Sequence, residues 1–212
     1  MTRTAQRAVS IVRLLTAAAV VAAVVATHLE AATRTQVNPF NLYGYFTVQS
    51  NLIGALAWVL AALTGVEQRR SSIWLGTLRA LAVTCLVIVG LVYATLLAPL
   101  GAAGGVPLPW ANAVLHIVTP VVAIADWLLV GDRPALKARQ LPLILTYPAL
   151  WITVVLIRGA TDGWVPYPFL DPAQGYSLVG LYCLAILVVF VAVGLLAIRA
   201  SRARGITVSD RG

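Results

Sequence analysis

Six apolar stretches, each near the length of a bilayer crossing, take up most of this 212-residue chain: about 9–28, 42–64, 78–98, 109–130, 141–158 and 177–198. A crossing helix needs about 20 mostly apolar residues. In hydrocarbon every main-chain polar group must be satisfied within the chain, which leaves helices or closed barrels as the folds available. Stretches this long, without strict alternation, choose helices. Only 10% of residues are charged and 60% are hydrophobic, with mean hydropathy +0.91. Soluble domains carry about a quarter charged residues. The expected fold is therefore an all-α, polytopic membrane bundle of six transmembrane helices forming a single domain over 1–212. The longest connector runs from Gly159 to Tyr176, and no repeat, low-complexity tract or linker breaks the pattern.

The net charge of +8 follows the same plan. If every stretch crosses, Arg3, Arg7, Arg13, Arg69, Arg70, Arg79, Arg133, Lys137, Arg139, Arg199, Arg202, Arg204 and Arg211 share one face. Only Arg34 and Arg158 face the other way. Basic connectors stay cytoplasmic, so both termini are expected there, and the high pI needs no nucleic-acid partner. Fourteen arginines against one lysine fit a GC-rich genome, which makes a bacterial plasma membrane the expected location. The first stretch has two readings. Its apolar core, Leu14 to Ala26, follows three arginines and ends in Val24-Val25-Ala26, as a cleavable signal peptide also would. Alternatively it is a retained helix, with Arg13 snorkelling to the inner surface.

Polar groups inside such spans are costly and ask for a function. His116 lies about 10 Å below the outer end of the fourth span, and Thr47 lies in the first turns of the second. Thr47 shares a helix face with Asn51, and His116 shares one with Asn112. His28, Glu30, Arg158, Asp162, Tyr167 and Asp171 also fall toward the outer half. Pro120 has no N–H for the carbonyl four residues before it, so a kink and a free His116 carbonyl are expected, unless the proline is an ordinary packing kink. Pro142 and Pro148 also interrupt spans. Asp126 is about 15 Å further along the axis than His116, near the inner surface, where Arg79 or Arg13 could pair with it. Cys85 and Cys183 read as small buried hydrophobes.

Several chemistries fit these residues. In nucleophilic hydrolysis, Thr47 attacks an acyl carbonyl, His116 takes and returns the proton, and Asn51 or Asn112 donates to the oxyanion. A zinc site would need about three ligands, whereas the chain offers His28 and His116 with Glu30 or Asp171, none at helical zinc-motif spacing. No cofactor or metal is expected. A transporter would show a repeat or a midplane charge cluster, and neither is evident. Thr and His inside bundles also serve simply to bond neighbouring helices. Tyr167 to Asp171 is either an ordered outer loop over a cavity or an interfacial anchor, with Trp110, Trp164 and Tyr167 at the membrane surface.

Three segments together give the chain a family likeness: Tyr45-Phe46-Thr47, then Asn112, His116 and Pro120, then Trp164-Val165 with Tyr167-Pro168-Phe169-Leu170-Asp171. In this order, and in a six-span layout over nearly the whole length, the chain resembles the androgen-induced membrane protein family. Characterised animal members hydrolyse fatty acid esters of hydroxy fatty acids with a threonine and a histidine that align with Thr47 and His116. The resemblance implies an intramembrane lipid esterase with a Thr–His dyad and a retained first span. It departs from the animal pattern in an extra residue, Pro166, a His-to-Pro spacing one shorter, and a more polar Val48-Gln49-Ser50-Asn51. These leave the dyad intact and bear on substrate identity. The expected partner is a membrane lipid or fatty-acid ester that enters sideways. Tyr167 and Asp171 would shape the entrance. Arg158 would hold a carboxylate, or instead pair with Asp162 or Asp171. The alternative is a non-enzymatic lipid-binding protein or a small transporter.

Overall fold

The computed structural model describes residues 3–66 and 71–203. Arg69, Arg70, Arg204 and Arg211, counted above for orientation, lie outside the described residues. Among the described residues the chain is helical without strands, and six helices are long and apolar enough to cross a membrane. They are α1 (Arg3–Ala32), α2 (Phe46–Val66), α3 (Ile73–Val92), α4 (Pro109–Leu129), α5 (Leu141–Thr161) and α6 (Tyr176–Ala200). All six expected spans are present, with ends shifted by a few residues.

Local chemistry sets those ends. Ser72 accepts the Leu75 N–H and caps α3. Pro109 opens α4 and Pro142 sits in the first turn of α5, where the missing N–H costs nothing. Pro142 thus starts its helix, whereas it was expected to interrupt one. Pro148 does lie inside α5, which continues past it to Thr161. A single turn, Pro39–Leu42, leads into α2. At Gly44 a Cβ would stand 2.5 Å from the Phe40 carbonyl oxygen and 2.7 Å from the Trp164 ring. Only glycine admits that approach at the entry to α2.

Packing is closest where small residues meet. α1 lies mainly against α2, with Ala17, Val20, Ala23 and Val24 buried in one core with Ala55 and Trp58. The lipid-facing sides of α5 and α6 carry exposed Leu143, Leu150, Leu181, Leu184 and Leu196, as a surface solvated by acyl chains requires. Trp127 of α4 donates its indole N–H to the Ala197 carbonyl of α6 at 3.0 Å. The Arg133 guanidinium holds the Val130 and Ala200 carbonyls, covering acceptors at two helix ends.

At the end of the bundle bearing the termini, four charges are locked together. Arg13 donates to Asp126 at 2.7 Å and to Asp132 at 2.6 Å, while Arg79 donates to Asp132 at 2.8 Å and to Asp126 at 2.9 Å. The alternatives for Asp126 are both realised, and Asp132, in the connector after α4, completes a neutral square. Arg13 is 2% and Arg79 3% exposed. Arg13 therefore does not snorkel out: two carboxylates hold its guanidinium inside. Removal of the first span would leave Asp126 and Asp132, among the described residues, with Arg79 as their bonded cation, which favours the retained-helix reading.

Candidate active site

Eight threonine hydroxyls of the bundle bond the carbonyl four residues back on their own helix. Thr16, Thr27, Thr77, Thr84, Thr95, Thr146, Thr153 and Thr161 all do so, at 2.7–2.8 Å. Thr47 sits in the first turn of α2, and its hydroxyl turns to other elements. Its Oγ1 is 3.3 Å from His116 Nε2 and 3.4 Å from the Tyr167 hydroxyl, while its N–H donates to that same phenol oxygen at 3.3 Å. Thr47 is 7% and His116 5% exposed. Two residues 69 apart in sequence thus meet in the interior, near the end of the bundle opposite the termini.

α3 and α4 bring His116 there through two departures from α-helical geometry. Val114–Val118 and Tyr93–Leu97 are π-helical turns. Each ends two residues before a proline, Pro120 and Pro99. The residue just before each proline makes the long bond, Thr119 N–H to Val114 O and Ala98 N–H to Tyr93 O. In this register Pro120 withholds a proton from the carbonyl five residues back, which is that of Leu115. The Asn51 amide supplies the donor at 3.0 Å, and the Thr119 hydroxyl, whose proton goes to the Asn51 side-chain oxygen at 2.6 Å, lies 3.3 Å from the same carbonyl. The freed acceptor is therefore Leu115's, and the expectation that it would be His116's is corrected by the one-residue slip of the π turn. A Cβ on Gly90 would lie 3.1 Å from the Pro120 Cβ, so α3 and α4 touch closely beside the two turns.

The remaining candidates separate. Asn51 is fully committed: its amide donates to the Thr47 and Leu115 carbonyls at 2.9 and 3.0 Å, and its oxygen accepts from Thr119 at 2.6 Å. The Asn112 side chain accepts from Val106 N at 3.0 Å and donates to the Tyr93 hydroxyl at 2.7 Å. Its main-chain carbonyl meets His116 Nδ1 at 3.2 Å. Arg158 pairs with Asp162 at 2.7 Å, bonds Asn41 at 2.8 Å and stacks 4.2 Å from the Trp164 ring centroid. The Trp164 N–H and then Arg158 hold the Asp162 carboxyl below its ordinary range. Asp171 caps the Pro172–Gln174 turn through the Ala173 N–H at 2.8 Å. His28 meets the Tyr43 hydroxyl at 3.3 Å and Glu30 pairs with Arg34, so neither gathers with His116.

Sequence reasoning missed Tyr93, whose ring stacks on His116 with centroids 4.3 Å apart and planes at 22°. It also placed Tyr167 at an entrance, whereas the phenol touches Thr47 directly. Phe169 stacks on Tyr167 at 5.4 Å, and Tyr45 and Trp151 flank it at 5.7 and 6.0 Å. Burial pushes the Tyr167 phenol up to about 12, against the opposing bonds from Thr47, so it remains a donor at neutral pH.

From Thr47 and Tyr167 a cavity of about 510 Å³ extends between α3, α5 and α6. Its walls include Ile88, Val89, Leu145, Ile152, Ile186 and Leu187, and Cys183 stands on the α6 side. A second cavity, of about 430 Å³, is lined by Gln49, Trp151, Arg158 and Asp162. The first is apolar with polar groups at one end, the form of a site for a lipid chain with a reactive head. Neither a curated protein nor a solved structure matches the chain. A family model described as FAR-17a/AIG1-like protein matches residues 9–199, which bears out the resemblance to the androgen-induced family, and the chain belongs to it.

Proposed function

We propose that this protein is an intramembrane acyl-ester hydrolase working through Thr47 and His116. One observation carries the reading: Thr47, unlike the threonines that bond back onto their own helices, aims a buried hydroxyl at an imidazole and opens onto an apolar cavity. The family's association with hydrolase activity supports it. A purely lipid-binding protein would use the cavity but would have no need of that contact.

The fatty acyl chain lies in the cavity of about 510 Å³ with its carbonyl at Thr47. His116 Nε2 takes the hydroxyl proton as Oγ1 bonds the carbonyl carbon, and the carbonyl pair moves onto its oxygen. The 3.3 Å contact is at the long end of hydrogen-bond reach, and such contacts tighten as substrate enters. The Thr47 N–H, at the positive end of α2, and the Tyr167 hydroxyl hold each other and Oγ1 through long 3.3 and 3.4 Å contacts in the resting site, and turn to the oxyanion as it forms. Collapse breaks the ester C–O bond and His116 protonates the departing alkoxide. Water, deprotonated by His116, then releases the fatty acid and restores Thr47. Asn51 and Asn112 hold the frame without touching substrate. Asp171 shapes the loop that carries Tyr167. A substrate carboxylate at Arg158 would have to compete with Asp162. The basic residues Arg3, Arg7, Lys137, Arg139, Arg199 and Arg202 favour a cytoplasmic face for the terminus-bearing end, with the dyad in the outer half of the membrane.

The test is hydrolysis of a long-chain fatty-acyl ester by the purified protein. His116→Ala is expected to lower kcat by about 10²–10⁴-fold and Thr47→Ala to abolish turnover. A fluorophosphonate should label Thr47 in the wild type. Undiminished turnover in either variant would sink the dyad and leave lipid binding as the function of the cavity.

A further inference from the structure

Among the described residues His116 has no carboxylate partner: the Asp nearest it on its own helix, Asp126, is bound to Arg13 and Arg79 at the far end of α4. What its Nδ1 meets is the main-chain carbonyl of Asn112, at 3.2 Å. A carbonyl has no proton to give, so this contact is favourable only when Nδ1 carries one. In a neutral imidazole that leaves Nε2 bare, and Nε2 is the atom facing Thr47. The other protons then fall into order. Thr47 Oγ1 donates to Nε2, the Tyr167 hydroxyl donates to Oγ1, and the Thr47 N–H donates to the Tyr167 oxygen. Four contacts form one directed chain, each bond polarising the next.

The ring of Tyr93 covers one face of this imidazole. Its hydroxyl accepts from the Asn112 side chain at 2.7 Å, so the residue whose carbonyl orients His116 also fixes the ring that stacks on it. Resting on the hydrolase reading above, we propose that the Asn112 carbonyl and the Tyr93 ring replace the carboxylate of a three-residue hydrolase. The carbonyl fixes the Nδ1–H tautomer, and the negative face of the ring receives the positive charge when Nε2 takes the threonine proton. Tyr93 is a positioning residue. The two π turns give the arrangement its geometry, since one presents Tyr93 and the other presents His116.

Two measurements test this separately. The chain has two histidines, so His28→Gln leaves His116 as the sole imidazole. Nitrogen-15 NMR of this protein in lipid is expected to show a protonated Nδ1 and a bare Nε2. An Nε2–H tautomer overturns the proposal, whether or not the protein hydrolyses anything. In the ester assay, Tyr93→Phe keeps the ring and should hold kcat within about threefold of wild type. Tyr93→Leu should lower kcat about tenfold while KM stays within about threefold. A leucine variant as fast as wild type, or a phenylalanine variant as slow as the leucine one, overturns the role of the ring. Unaltered turnover in Thr47→Ala would instead fail the hydrolase reading and leave the tautomer result standing.

Discussion

Asn51 divides two accounts of the site, because a buried amide beside a nucleophile could be an oxyanion donor or a brace. It is 0% exposed, and its two amide hydrogens are already given to main-chain carbonyls of α2 and α4 at 2.9 and 3.0 Å. Its oxygen accepts from Thr119 at 2.6 Å. No donor is left for a reacting oxygen. Asn51→Ala removes three contacts, each worth about 0.5–1.5 kcal/mol net, so a loss of about 2–4 kcal/mol is expected. No carbonyl is stranded at Leu115, because the Thr119 hydroxyl, released from Asn51, is 3.3 Å away and can donate to it, and this keeps the cost from rising further. Because the same contacts hold α2 against α4, loosening them misplaces Thr47 relative to His116, and kcat should fall about tenfold. Thr119→Val breaks the same brace from the other side, so its loss should overlap with that of Asn51→Ala in the double variant. Denaturant titration of the purified protein gives the stabilities, and ester hydrolysis gives kcat. A cost of about 10²–10³-fold in kcat at unchanged stability for Asn51→Ala, with Thr119→Val silent, would refute the brace, for that is the signature of a lost oxyanion donor.

The charge square makes a second prediction: Arg13→Met leaves the part-buried Asp126 and Asp132 sharing Arg79 and short of one positive charge, and should cost up to about 3–5 kcal/mol in the same titration. A loss below about 1 kcal/mol would mean that water already screens the cluster. The square also sets an acid limit. Burial alone would raise the Asp132 carboxyl, but the Arg13 hydrogen bond and the charges of Arg79 and Arg13 outweigh it and hold it below its ordinary 3.8. A depressed carboxyl contributes stability that is present above its unfolded pKa and lost as pH falls through the lower folded value. Stability should therefore stay level from neutral pH to about 4 and drop in stronger acid, with a smaller drop in Asp132→Asn. The cavity predicts chain-length selection: each methylene that enters is worth about 0.8 kcal/mol, or about fourfold in kcat/KM, until the space is filled. Ile152→Trp should move that plateau to shorter chains, and a flat series from the shortest ester onward would show that the acyl chain lies elsewhere.

The spans were legible because hydropathy over about 20 residues is a strong, local signal. Thr47 and His116 were legible because polar groups stand out against such a background, and Asp126 because arginines lay at its depth. Asp132 was hidden in a connector, where an acidic residue excites no comment. The roles of Asn51 and Asn112 were hidden for another reason. A spacing of four puts two side chains on one face but is silent about which donor meets which acceptor. For Asn112 the contact that matters at His116 belongs to its main chain. Tyr93 is not legible because its contact with His116 crosses between two helices and rests on two π turns, each of which slips the 3.6-residue register by one residue. The same slip moved the unpaired carbonyl from His116 to Leu115. A usable signal was nonetheless present, since each π turn ends two residues before a proline inside or at the end of an apolar span. Proline removes the proton that would have closed the ordinary ladder, and a neighbouring helix must then supply a donor for the carbonyl left over. At Leu115 that donor is Asn51, which also holds the Thr47 carbonyl. The helical imperfection on α4 and the position of Thr47 on α2 are therefore tied by one side chain. A local fault in one helix thereby fixes a contact between two helices that neither sequence segment encodes alone.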